Sequence, residues 1–282
     1  MAAQVSVING AEVFWESAGE GAAVVLIHAG VADLRMWDDL FGKLSLDFHC
    51  IRYDLRGFGR SSFPPGPFSH VDDLEALLDA AGVDSATLAG ASFGGGVAVD
   101  FTLAHPHRVS RLVLVAAALR GHEWSEEVRR FGREEEAALD AGDVDAAVEL
   151  NLKMWVDGPR REPTAVPART RASIGEMQRN AFEKQIAAYE QTHPPTEVDD
   201  VQPPAATRLA DIRVPTLVVV GEDDVSDFLE IADRASREIA HARKVVIPGT
   251  AHMLTLEKPD EFANHVLRFL KEPETEGGRT NL

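Results

Sequence analysis

Cysteine is almost missing from this chain: Cys50 is the only one in 282 residues. No intrachain disulfide can form, and its apolar neighbours make Cys50 a small core residue. Long apolar runs are missing too; none reaches the roughly 20 residues of a membrane-spanning helix. Positive charge is scarce: 28 Lys and Arg stand against 46 Asp and Glu, for a net charge of −18. So acidic a surface repels phosphate backbones and anionic lipids, so neither nucleic acid nor a membrane surface is an expected partner. Met1-Ala2-Ala3-Gln4 shows no basic stretch leading into an apolar leader, and a cytoplasmic location is the expectation. No residue pattern calls for a metal or a cofactor, and none selects monomer over homodimer. The expected partner is a small-molecule substrate.

Apolar residues make up 45% of the chain, enough for a sizeable core. Residues 5–8 and 12–16 read as strands joined by Asn9-Gly10, a hairpin turn signal. Residues 23–28 and 48–53 are short continuous apolar runs, as in strands buried on both faces. Helical spacing over 69–81 ends at Gly82; a strand at 86–89, a helix at 93–104 and a strand at 109–116 follow. From 121 to 204 no strand is expected, and charged helical segments run over 126–141, 144–155 and 168–190. Strands return at 214–220 and 244–247, with helices at 228–239 and 259–270, and a polar, frayed tail is expected from 271. This alternation predicts an α/β fold with a mostly parallel, doubly wound sheet and a helical cap insertion. Residues 1–120 and 205–282 form the core and 121–204 the cap, placed over the sheet edge where open α/β sheets bind ligands.

The stretch Leu88-Ala89-Gly90-Ala91-Ser92-Phe93-Gly94-Gly95-Gly96 admits three readings. A phosphate loop would need Lys-Ser/Thr after its last glycine, and Val97-Ala98 stand there instead. A close helix–strand approach with Ser92 as helix N-cap is the plain structural reading. The third is a nucleophile elbow, G-x-S-x-G, which turns sharply from strand to helix and projects the serine from the sheet edge. A serine hydroxyl is a weak nucleophile alone, so this reading requires a histidine base, an orienting acid and two backbone N–H donors.

Of ten histidines, His252 alone lies after a late strand, in a loop leading to the last helix. It follows Ser92 in the chain order serine, acid, histidine. The acid should sit between them at a strand end, where Gly221-Glu222-Asp223-Asp224 lies. Asp224 fits best, Asp223 is its neighbour rival, and Asp227 is weaker. One oxyanion donor is the N–H of Phe93, and the other comes from Ala29-Gly30-Val31, with Gly30 favoured over Ala29. His28 reads as a brace for that loop.

These pieces resemble α/β-hydrolase-fold proteins of the epoxide hydrolase, haloperoxidase and enol-lactonase type. The resemblance rests on Leu26-Ile27-His28-Ala29-Gly30, Arg35-Met36-Trp37-Asp38, the run from Tyr53 through Asp54-Leu55-Arg56-Gly57 to Ser62, the elbow, Gly221-Glu222-Asp223-Asp224 and Gly249-Thr250-Ala251-His252. It implies Ser92, Asp224 and His252 as catalytic residues, with Gly30 and Phe93 as oxyanion donors. It also implies a structural role for Asp54 and Arg56. Serine at the elbow, where epoxide hydrolases and dehalogenases need a carboxylate, argues against those chemistries, and the resemblance implies a serine hydrolase of small carboxylic esters or lactones working through an acyl-enzyme. Cofactor-free perhydrolysis of the haloperoxidase type, C–C bond hydrolysis and a non-catalytic ligand receptor on the same fold are the alternatives. Trp124, Met154, Trp155 and Met253, with Phe131, Met177 and Phe182, are candidate pocket residues, against core packing as the competing role.

Overall fold

The computed structural model of the chain describes residues 1–198 and 201–273. Most of the expected polar tail, residues 274–282, lies outside them. The strands are β1 (Ala2–Ile8), β2 (Ala11–Ala18), β3 (Ala23–Ile27), β4 (His49–Tyr53), β5 (Gly66–Phe68), β6 (Ala86–Ala91), β7 (Val109–Val115), β8 (Pro195–Glu197), β9 (Thr216–Gly221) and β10 (Ala242–Ile247). Eight of them form one sheet in the order β1-β2-β4-β3-β6-β7-β9-β10. The β1–β2 hairpin turns through Asn9 at φ 45° and Gly10 at φ 82°, the left-handed pair that matches strand twist. The sheet is antiparallel up to β4 and parallel from β4 to β10. The apolar runs of β3, β6 and β9 are interior strands of this sheet and are almost wholly buried, which is why they read as continuous rather than alternating.

The helices are α1 (Asp38–Leu44), α2 (His70–Ala80), α3 (Phe93–Ala104), α4 (Glu126–Asp140), α5 (Val144–Asn151), α6 (Ala168–Tyr189), α7 (Ser226–Glu238), α8 (Leu254–Glu257) and α9 (Pro259–Lys271). Helix α9 shows the usual amphipathic logic: Phe262, Ala263, Val266, Phe269 and Leu270 form one buried stripe. Helix α3 is different, with an unbroken buried run from Val97 to Thr102, because it lies over the strand ends and beneath other elements. Helices α4, α5 and α6 occupy the chain between β7 and β9. Among the described residues no helix is long and apolar enough to cross a membrane.

Three sequence expectations need correction. The segment 121–204 does contain a strand: β8 pairs in parallel with β5 in a separate two-stranded sheet. Three residues with a proline at the start carry no alternation, and only the distant partner makes them a strand. The helix expected over 144–155 ends at Asn151 and continues as a wider π turn over Leu152–Asp157. There the carbonyls of Val156 and Asp157 accept from the Arg161 guanidinium, which satisfies the helix end. Helix α1, not expected from the sequence, is seven residues long and buries Leu40, Phe41 and Leu44.

Candidate active site

Ser92 sits between β6 and α3 with φ 49° and ψ −116°. This left-handed backbone costs a non-glycine residue about 1–3 kcal/mol and survives only when its surroundings impose it. They do. The Ser92 N–H donates to the Val115 carbonyl at 2.9 Å, and its own carbonyl accepts from Gly95, Gly96 and Ala118 at 2.9–3.1 Å. The glycines make the close packing possible. A Cβ on Gly90 would stand 2.2 Å from the Gly94 oxygen, one on Gly94 2.4 Å from the His28 oxygen, and one on Gly95 2.4 Å from the Ala117 Cβ. Gly96 is not constrained this way; its nearest neighbour would be 3.5 Å off. Three of the four glycines therefore let the start of α3 press against β6 and the ends of β3 and β7.

His252 lies in the loop after β10 and is 5% exposed. Its Nδ1 lies 3.1 Å from both carboxylate oxygens of Asp224, which is fully buried. Asp224 is fixed in turn by the Val225 N–H, which donates to its Oδ1 at 2.7 Å. The other two acids have different positions. Asp223 is half-buried, and Asp227 binds the Ser125 N–H at 2.7 Å and the His122 ring at 3.2 Å. The His252 ring is held between aromatics, with centroids 4.3 Å from Phe228 and 5.1 Å from Trp155.

Ser92, His252, Gly30 and Phe93 line one cavity of about 270 Å³. The Ala29 N–H is occupied by the Met36 sulfur at 3.2 Å, whereas the N–H groups of Gly30 and Phe93 have no backbone acceptor among the described residues. His28 braces the same loop: its Nε2 accepts from the Leu55 N–H at 2.9 Å and its Nδ1 donates to the Ala29 carbonyl at 2.8 Å. Complete burial lowers its pKa, so it stays neutral. Asp54 accepts from the Leu34 and Arg60 N–H groups, and Arg56 pairs with Asp73 in a buried bridge at 2.7 Å; neither lines the cavity, and both brace the loop that brings Phe58 to its wall.

Of the candidate pocket residues, Trp155, Phe131 and Phe182 line the cavity. Trp124, Met154, Met177 and Met253 do not. Trp124 packs on His122 and Phe228, Met154 borders a separate surface cleft, and Met177 and Met253 are buried. Apolar composition could not separate wall from core.

Sequence reasoning also missed a clamp on the His252 loop. Arg161 forms a buried ion pair with Glu257 at 2.6 Å and donates to the Gly249 carbonyl at 3.3 Å. Glu257 accepts the Ala251 N–H at 3.0 Å. The residues stand 96 apart in the chain, so no local pattern announces them.

Comparison with known proteins agrees with this architecture. The family model of the alpha/beta hydrolase fold matches residues 22–259. The chain is 25% identical to a carboxylesterase of Bacillus subtilis (YbfK) over 256 residues, covering 89% of this chain and 81% of that one. It is 24% identical to a pimeloyl–acyl-carrier-protein methyl ester esterase of Nitrosospira multiformis, covering 92% and 98%. The enol-lactonase of Burkholderia xenovorans superposes with a TM-score of 0.75 at 26% identity, covering 95% of this chain and all of that one. With the family match running from β3 to α9 and hydrolases among its relatives, this chain belongs to the α/β-hydrolase family and is a hydrolase.

Proposed function

We propose that the protein is a serine hydrolase of small carboxylic esters or lactones, acting through an acyl-enzyme on Ser92. The observation that carries this reading is a serine held at φ 49° in the same cavity as His252, whose Nδ1 meets a fully buried Asp224. Relatives named as a carboxylesterase and an enol-lactonase support the choice of substrate. The Ser92 Oγ attacks the substrate carbonyl while His252 Nε2 takes its proton. Asp224 holds the opposite ring nitrogen as the donor, which fixes the tautomer and offsets the charge that forms on the imidazole. The N–H groups of Gly30 and Phe93 receive the oxyanion, where loss of one such donor typically costs about 3 kcal/mol. His252 then protonates the leaving alcohol, and the same base activates water to release the acid. Residues 121–204 act as the cap that shapes the substrate side.

The test compares wild type with Ser92→Ala on p-nitrophenyl acetate and a panel of esters, lactones and amides. Loss of nearly all turnover with an intact fold is expected. Equal rates for the two purified proteins would sink the reading, and binding without turnover in both would favour a receptor.

A further inference from the structure

The cavity around Ser92 has two chemically distinct sides. From the strand ends come Ser92, His252 and the free N–H groups, and from α4, α5 and α6 come Glu135, Asn151 and Gln178. The second set has no part in the acyl-transfer steps. Asn151 and Gln178 are 3% and 4% exposed, and burial raises the Glu135 pKa. The Asn151 amide nitrogen donates both to Glu135 Oε1 and to the Ala147 carbonyl at 3.0 Å. Its orientation is thereby set, with the amide oxygen left as an acceptor, and Glu135 keeps its second oxygen. Gln178 is left unsatisfied. Its Oε1 is buried without a partner, and neither end of its amide has a hydrogen bond among the described residues. A buried amide left so is destabilising, and apolar residues of the same shape would be better unless something arrives to pair with it.

A ligand group that satisfies this side must donate to one of the fixed acceptors on Asn151 and Glu135 and accept from the Gln178 amide, which can turn either its donor or its acceptor end to it. A hydroxyl does both. An anionic carboxylate does not, since it only accepts and would face Glu135. We propose that Glu135, Asn151 and Gln178 form a subsite for a hydroxyl on the part of the substrate remote from the scissile carbonyl. The enzyme is then selective for hydroxyl-bearing esters or lactones; this rests on the hydrolase reading given above.

The test uses methyl esters from hexanoate to decanoate in three forms: unsubstituted, with a terminal hydroxyl, and with a terminal carboxylate. Monoacetates of the matching diols probe the alcohol side. The expected result is a kcat/KM at least about tenfold higher for a hydroxyl-ended ester than for its unsubstituted partner, with the carboxylate-ended ester poorest. Gln178→Leu should bring the first ratio close to one, and Glu135→Gln should relieve the discrimination against carboxylate. Gln178→Met, with thermal unfolding recorded for each variant, separates a folding defect from lost recognition. In parallel, Ser92→Ala protein is titrated with the same esters and its Tm followed. Selective stabilisation by hydroxyl-ended esters without turnover in the wild type would leave the subsite standing and refute the hydrolase reading. Turnover with no hydroxyl preference at any length, or a preference that survives Gln178→Leu, overturns the subsite. Neither turnover nor selective stabilisation overturns both.

Discussion

Replacing Arg161 with leucine should unlatch the loop that carries His252. The guanidinium donates to the carbonyls of Val156, Asp157 and Gly249 and to both oxygens of Glu257. Its side chain is 9% exposed and that of Glu257 6%. Leucine would leave the Glu257 carboxylate buried with the Ala251 N–H as its remaining hydrogen-bond donor. Removing one partner of a buried pair typically costs about 3–5 kcal/mol, because the other charge stays buried uncompensated. At about 2–4 °C of Tm per kcal/mol for a chain near this size, the variant should melt about 6–20 °C lower. The double variant Arg161→Leu with Glu257→Gln should lose less, since the amide oxygen can still accept from Ala251 and no charge is stranded. Calorimetry gives Tm, and ester hydrolysis gives kcat, which should fall in the single variant as the His252 loop loosens. An Arg161→Leu protein melting within about 2 °C of wild type would refute the clamp.

Four shorter predictions accompany it. Gly96→Ala should be tolerated or stabilising by about 0.5–1 kcal/mol, whereas Gly94→Ala, whose Cβ would lie 2.4 Å from the His28 oxygen, should unfold or inactivate the protein; urea titration distinguishes them. Ser92→Gly should gain about 1 kcal/mol in the same assay through relief of its left-handed backbone while losing turnover. Asp224→Asn should lower kcat by orders of magnitude and Asp223→Asn far less; the reverse order would name the wrong carboxylate. Burial pulls the His70 pKa down to about 3, so the unfolded chain binds the extra proton first. Stability from this group is present above about pH 6.5 and lost as pH falls toward 3, at up to about 1.4 kcal/mol per pH unit. His70→Phe should flatten that acid limb of a stability–pH curve, and an unchanged slope would exclude His70 as its source.

Legibility followed range. The tight turn from β6 to α3 at Ser92 could be read because its demands are local: Gly90, Ser92 and Gly94 meet within one turn, and the buried strands declare themselves as apolar runs. The His252 loop could be read from its place after a late strand, and Asp224, favoured over Asp223 from its position in the loop, is the acid that meets the His252 ring. The π turn at Leu152–Asp157, the β5–β8 pair and the Arg161–Glu257 clamp all depend on partners far away in the chain. The pocket wall was hardest. Phe131 and Met177 look alike as apolar residues on helices, yet one faces the cavity and the other the core.

The helical segment over the cavity is moored at its entry, its middle and its exit, and α6 is tied as well, with Lys184 donating to the Gly59 and Ser61 carbonyls and Glu176 pairing with Arg35. Asp227 of α7 binds Ser125 and His122 at its entry, the Arg161 clamp holds its middle to the His252 loop, and β8 on β5 holds its exit. A segment tied at start, middle and end cannot swing away as one hinged door. Helix α4 is the least embedded part of this segment, although its Ser125 cap is one of the moored points. It has no fully buried residue and contributes Phe131 and Glu135 to the wall. The cavity wall thus joins a tightly tied frame to one lightly packed helix, and Phe131 and Glu135 are the side chains that this helix brings to it.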